Sequence, residues 1–316
     1  GPSAARNKGM SIAKGKYFAF IDADDLYKPN KIKEQADILD KNKDVYLVYN
    51  GYIEVDEELS VIKEMGAEFV YKERENLLAM MLFRPIITAP PSIMIRRECY
   101  EAGFKYDEKY IHGEDYKLFI DLLKKYNFYY ISKSLYIYRK HELNLTNEHK
   151  KQIAAEAKVI RAFTDKEIIE IVNSSTFNSY NKDLLCAKIF IKRNQYKQAL
   201  VYLKRCLSVN TASEPWFYLG NCKYIEGDFG LAENSYRRAI EINNKMAEAY
   251  NNLGCIYGLT GKTTESENIF KKALELRPNF MDAQFNLQQL KNNNKKNFKL
   301  TTRELRKTLA TYRVES

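Results

Sequence analysis

Apolar and polar positions follow two different rhythms along this chain. In the second half the apolar positions fall on helical spacing, and the spacing itself recurs. Laying Ser213–Met246 over Ala247–Phe280 holds the register for 34 residues: Trp216 meets Tyr250, Leu219 meets Leu253, Gly220 meets Gly254, Gly227 meets Gly261, Tyr236 meets Phe270 and Ala239 meets Ala273. A looser copy over about residues 180–212 aligns Ala199 with Ala232 and Cys206 with Ala239, and a fragment follows at Met281–Leu290. A fixed period of this length predicts an array of helical hairpins. Small residues at the Gly220 and Ala239 type of position let two antiparallel helices approach closely, and the aromatics fill the gap to the next hairpin. Lys223 and Ser266 depart from the pattern, standing where an aromatic and an alanine are expected.

The first half reads differently. A helix ends around Ser11–Lys16, and the short apolar run Lys16–Ile21 predicts a buried strand. Leu118, Ile120, Leu122 and Leu123 mark an amphipathic helix, and Ser134–Tyr138 is strand-like. Strands alternating with helices predict an α/β class for this half, followed by an all-α superhelix. The expected division is an α/β domain over 1–145, a helical connector over 146–179, about three repeats over 180–290, and a basic linker with a terminal helix over 291–316. In that last segment Thr301 and Glu304 form a capping box for a helix carrying Leu305, Leu309 and Tyr312.

Composition sharpens this picture in a few places. With 45% hydrophobic and 13% aromatic residues in 316, the chain is neither disordered nor a single small core. No apolar stretch approaches the roughly 18 residues of a membrane span. The net charge of +10 is uneven: residues 1–150 hold 24 basic and 24 acidic side chains, 151–290 hold 19 and 15, and 291–316 hold 8 and 2. A nucleic-acid protein would concentrate basic residues on a recognisable reading module. None is seen, and no nucleic-acid partner is expected. The basic tail is a solvated end or a peripheral contact with an anionic membrane surface. The five cysteines, Cys99, Cys186, Cys206, Cys222 and Cys255, form no C-x-x-C pair and read as buried free thiols of a reducing cytoplasm.

Candidate chemistry gathers in the first half. The strand at Lys16–Ile21 runs straight into Asp22-Ala23-Asp24-Asp25. Capping the helix that begins near Pro29 uses one of these carboxylates, or two, but not three. A divalent cation with a diphosphate accounts for all three, because hard oxygen ligands suit Mg²⁺ or Mn²⁺ and open α/β sheets place ligands at strand C-terminal ends. Glu114 and Asp115 precede the amphipathic helix, where either could cap it. An adjacent acidic pair beside a second acidic cluster is also what general-base catalysis requires. Arg139-Lys140-His141 follows the strand-like Ser134–Tyr138, which makes His141 a candidate metal or phosphate contact.

The repeat half resembles the tetratricopeptide repeat, in the order W-x-x-L-G with a later Ala, aromatic, Ala and Pro. The resemblance implies a concave recognition groove into which Asn221, Asn252 and Asn286 on the first helices point, the alternative being that they are solvated surface amides. In the first half, A-R-N-K-G at Ala5–Gly9, A-K-G-K-Y at Ala13–Tyr17, D-A-D-D-x-x-x-P at Asp22–Pro29, G-E-D-Y at Gly113–Tyr116 and Y-R-K-H at Tyr138–His141 occur in order. Together they resemble the family 2 glycosyltransferases, inverting enzymes of the GT-A fold. That resemblance implies a nucleotide-sugar donor, a UDP-sugar favoured, held by Arg6, Asp22, Asp24, Asp25, Glu114 and Arg139. It implies Mn²⁺ or Mg²⁺ on Asp24 and His141, and Asp115 as the base that deprotonates the acceptor. The acceptor would be a protein or a glycan brought by the repeats. The family's pattern opens with a strand, a helix and a second strand that do not precede Gly1, so a longer native protein is expected. The Q-x-x-R-W motif of processive members is absent after Asp115, which implies transfer of one or a few sugars at the cytoplasmic side, free or on the membrane's inner face. The alternatives are a repeat scaffold carrying an inert transferase domain, and a nucleotidyltransferase.

Overall fold

A computed structural model describes residues 1–66, 70–87, 89–141, 144, 149–209 and 212–304. The chain divides into two compact units, Gly1–Phe177 and Asn178–Ser316.

The first unit is built on a mixed sheet. Its elements in order are α1 (Pro2–Ile12), β1 (Tyr17–Ala19), β2 (Leu26–Tyr27), α2 (Lys31–Lys41), β3 (Val45–Val55), β4 (Val61–Met65), α3 (Arg74–Phe83), β5 (Ile93–Arg96), α4 (Arg97–Glu101), α5 (Glu114–Leu123), β6 (Asn127–Arg139), α6 (His149–Arg161) and α7 (Asp165–Ser174). The strand order is β1-β5-β3-β6-β2, with β4 also on β3. β5 runs antiparallel to both β1 and β3, and β3 runs parallel to β6, so β1, β3 and β6 share one direction. β3 is buried along nearly its whole length, as a central strand covered on both faces must be. Leu39 of α2 meets Val45, Val48, Met94, Ile131 and Leu135 of the sheet in one core cluster. α5 buries Leu118, Phe119, Ile120, Leu122 and Leu123. The Tyr116 hydroxyl donates to the Met81 carbonyl and so fixes α5 to α3.

Residues 146–179, expected as a connector, contain α6 and α7. These helices lie in the first unit and bury Val159, Ile160, Ile168 and Val172.

The second unit stacks hairpins of α8 (Ser179–Lys192) with α9 (Tyr196–Val209), α10 (Ser213–Ile225) with α11 (Phe229–Ile242), and α12 (Ala247–Leu259) with α13 (Thr263–Leu276), followed by α14 (Met281–Lys291). The hairpin helices touch at their small residues. A Cβ on Gly220 would lie 2.5 Å from the Tyr236 ring, and one on Gly254 would lie 2.7 Å from the Phe270 ring. All five cysteines are buried and free. Ser266, in place of an alanine, satisfies its hydroxyl on the Gly254 carbonyl at 2.7 Å.

The capping box at Thr301 and Glu304 does not form. The Thr301 hydroxyl donates to Asp282 at 3.0 Å, and the Glu304 carboxylate accepts from Tyr218 and pairs with Lys188. Both side chains are held by the repeats, which leaves neither for a helix N-terminus. Leu305, Leu309 and Tyr312 lie outside the described residues.

Candidate active site

The path of the chain between β1 and β2 creates the site. β1 and β2 lie at opposite ends of the strand order, so residues 20–25 cross the C-terminal ends of the sheet before Leu26 and Tyr27 pair with Ile137 and Tyr136 of β6. This crossing carries Asp22, Asp24 and Asp25 to the place where β6 ends and His141 begins. None of them caps the next helix: α2 starts after Asn30, with no side-chain bond at its N-terminus.

The three aspartates do different work. Asp25 is 5% exposed and faces inward, its carboxylate accepting from the Tyr136 hydroxyl at 2.6 Å and from the Arg139 backbone N–H at 2.9 Å. Burial pushes its pKa up against those two bonds. These two bonds anchor the crossing to β6. Asp24 stays partly open, and its Oδ2 lies 2.7 Å from His141 Nε2. Asn144 locks this histidine: its Oδ1 accepts from the His141 backbone N–H at 2.5 Å, and its Nδ2 lies 3.1 Å from Nε2. Asp22 accepts from Arg6 at 3.4 Å.

Arg6 joins the two acidic motifs. From α1 its guanidinium donates to Glu114 at 2.9 Å as well as to Asp22, and it lies 5.4 Å from the centre of the Tyr106 ring. Its neighbour Asn7 fixes this geometry, donating to the Tyr106 carbonyl at 2.8 Å and accepting from its N–H at 2.9 Å. Glu114 is paired with Arg6, and Asp115 carries the second carboxylate at the start of α5. Burial, and then the Glu114 charge, push the Asp115 pKa up to about 7. One of its oxygens accepts from the Tyr116 N–H at 2.7 Å, which satisfies one of the free N–H groups of the first turn of α5. The turn before it needs Gly113, which has a φ of +75° and whose added Cβ would lie 3.3 Å from Ala155.

The donor set suits a cation held partly by its substrate. Among the described residues no group of three or more metal-ligating side chains gathers, but Asp24 and His141 present one carboxylate oxygen and one imidazole nitrogen to each other. Two such side chains would leave the remaining positions of a hard cation for phosphate oxygens and water. Among the described residues Arg139 Nε is buried without a hydrogen-bond partner, an orphan donor of the kind an anionic ligand satisfies.

Sequence reasoning named Arg6, Asp22, Asp24, Glu114, Asp115 and His141, and the fold brings these motifs to the sheet's C-terminal ends or the start of α5. It missed Asn7, Tyr106, Tyr136 and Asn144. Asn7 sits inside the A-R-N-K-G run and Tyr136 inside the strand before His141, so proximity to a motif was the available signal for both.

Residues 1–198 match the family described as glycosyltransferase-like family 2. Residues 220–261 and 247–280 match tetratricopeptide repeat families. An uncharacterised glycosyltransferase of Methanocaldococcus jannaschii is 34% identical over 140 residues, 44% of this chain and 47% of that protein. One of Rickettsia typhi is 30% identical over 207 residues, 62% of each chain. A UDP-Glc:α-D-GlcNAc-diphosphoundecaprenol β-1,3-glucosyltransferase of Escherichia coli is 31% identical over 125 residues, 40% of this chain and 45% of that protein. The chain thus spans about half to under two thirds of the length of these relatives.

Proposed function

Since the chain belongs to the glycosyltransferase-like family 2, we propose that its first unit moves a sugar from a nucleoside-diphosphate donor to an acceptor hydroxyl with inversion, with the help of a divalent cation. The observation that carries this reading is the approach of Asp24 to His141 at 2.7 Å across the sheet ends. That approach needs the whole crossing from β1 to β2, and Asp25 and Asn144 are spent on holding it. Asp24 and His141 would hold Mn²⁺ or Mg²⁺, the imidazole favouring Mn²⁺. The bound cation would supply charge neutralisation for the departing diphosphate.

The chain's own residues account for the other steps. Asp115, with a pKa near neutrality, takes the proton of the acceptor hydroxyl. The freed oxygen bonds to the anomeric carbon as the bond to the diphosphate breaks, and the configuration inverts. Arg6 and Arg139 would meet donor phosphates, and Asp22 the donor ribose or sugar. A UDP-sugar is the favoured donor, in keeping with the name of the Escherichia coli relative. The repeats would recruit a protein or glycan-assembly partner. Among the described residues no helix is long and apolar enough to cross a membrane. The basic excess after Lys291 would suit the cytoplasmic face of an anionic bilayer.

Calorimetric titration of UDP, GDP and dTDP with and without Mn²⁺ tests the site. Metal-dependent binding of one nucleotide, lost in Asp24→Ala, is expected. Binding of equal strength without the cation, or in the variant, would remove Asp24 from the donor site.

A further inference from the structure

The repeat unit already holds an occupant. After α14 and a 3-10 turn at Lys295–Asn297, residues Phe298–Glu304 run back along the first helices of the hairpins, and side chains there grip their backbone. Asn286 of α14 takes both polar groups of Lys299: the N–H donates to Oδ1 at 2.7 Å, and Nδ2 donates to the carbonyl at 2.8 Å. Asn252 of α12 takes both groups of Thr301, at 2.8 and 2.9 Å. Asn221 of α10 donates to the Thr301 and Thr302 carbonyls at 3.3 Å each. Asn251 adds bonds to the Lys299 carbonyl at 3.2 Å and the Thr301 hydroxyl at 3.0 Å. Clamping alternate residues on the same edge is how an extended chain is held.

Amides fixed on backbone atoms accept any sequence, so selectivity falls to a few side chains. The Phe298 ring packs 5.6 Å from that of Phe270, in space left by Gly258, where a Cβ would lie 2.4 Å from the ring. The Thr301 hydroxyl meets Asp282 at 3.0 Å. The Glu304 carboxylate meets Tyr218 and Lys188, and Glu214 lies 3.1 Å from the same ammonium. Burial alone would lower the Lys188 pKa, but the Glu304 and Glu214 carboxylates outweigh it and keep the group a cation. A segment meant as permanent core would be held by apolar burial. This one is held mainly by hydrogen bonds and an ion pair, which water can replace when it leaves.

We propose that Phe298–Glu304 is a tethered occupant of a groove built for an extended peptide of a partner protein, one presenting an aromatic side chain, a hydroxyl three residues on and a carboxylate three further. This rests on the reading of the repeats as a recruiting surface and names what they recruit. The tether makes the segment a competitor: a short link gives an effective concentration of about a millimolar, so a peptide with a Kd of about 10 μM for the open groove binds the closed one about 100-fold more weakly.

The test uses a labelled peptide of sequence Lys295–Glu304 and the full chain, read by fluorescence anisotropy. Thr301→Pro removes an N–H that Asn252 requires while leaving every repeat helix unaltered. The variant is expected to bind the peptide at least tenfold more tightly than the parent, and adding Asn286→Ala should reverse the gain. Equal affinity of parent and variant, or binding by neither, overturns the proposal. Hydrogen exchange on the unaltered chain gives a reading independent of any variant's folding. The Lys299 and Thr301 amides should be protected, and exchange at the free-chain rate at either overturns the proposal. Neither experiment measures sugar transfer. Recruitment itself is judged separately, by whether excess Lys295–Glu304 peptide slows transfer to the acceptor by the Thr301→Pro variant.

Discussion

Replacing Asp115 with Asn should move stability and activity in opposite directions, and both changes can be sized from the site. The Asp115 carboxyl has a pKa of about 7 in the folded chain against an ordinary 3.8, with burial the main cause. Because the folded value is the higher, between those limits the folded chain binds a proton that the unfolded chain lacks. Stability therefore falls as pH rises through that window, and the loss is complete above it. About three pKa units set a ceiling near 4 kcal/mol. The side chain is partly open to water, which brings the expected figure to about 2 kcal/mol. Asn keeps an acceptor for the Tyr116 N–H, which Asp115 now satisfies at 2.7 Å, and carries no charge to desolvate. Asp115→Asn should therefore stabilise by about 2 kcal/mol at pH 8 and by almost nothing near pH 4, read from urea midpoints. As the proposed base, Asp115 must be ionised, and with a pKa of about 7 it is about 3% ionised at pH 5.5 and about 90% at pH 8, so kcat/KM should rise about 30-fold between them. Asn should lose about 10² to 10⁴-fold at every pH with donor binding retained. A variant that is less stable at pH 8 and has lost donor binding would make Asp115 structural. A flat pH profile in the parent would refute its role as base.

Gly220→Ala drives a methyl into the Tyr236 ring, whose hydroxyl is tied to Asn221 at 2.7 Å. Overpacking of about 1–3 kcal/mol should outweigh the helix-propensity gain of about 1 kcal/mol. Gly230→Ala, with only Asp228 Oδ1 near at 3.8 Å, should instead stabilise slightly, and thermal melts of the two variants moving the same way would count against the argument. Lys31 is fully buried, its ammonium 2.7 Å from Gln35, and burial lowers its pKa to about 7. Here the unfolded chain holds the extra proton above pH 7, so the parent should gain up to about 3 kcal/mol on Lys31→Met between pH 7 and 9.5; a difference that stays constant with pH would refute this.

What could be read from the sequence was local in origin. The repeat period survives because each hairpin packs mainly on its neighbours, so Gly220 and Gly254 recur at the spacing their rings demand. The Asp22–Asp25 and Gly113–Tyr116 motifs were legible for the same reason, since each is set by one turn. β3 was not: VYLVYNGYIEV is covered on both faces, shows no alternation, and gains its identity from partners as distant as β6. The bond from Arg6 to Glu114 spans 108 positions, and nothing local announces it.

The carboxyl end makes the same point as a competition. Thr301 and Glu304 have the spacing of a capping box, and such a box is worth about 1 kcal/mol to a helix that must also nucleate. The groove offers the same residues the clamp of Asn252 on both backbone groups of Thr301, the Asp282 carboxylate for its hydroxyl and a buried Lys188 for Glu304. A bond to a charged group alone contributes about 1.5–3 kcal/mol, more than the whole box. The groove therefore wins, although the residues that decide it lie up to 116 positions away. Helical propensity in the tail is outweighed while Asn252, Asn286 and Lys188 remain in place, and a ligand that meets those same groups would compete with the segment for them.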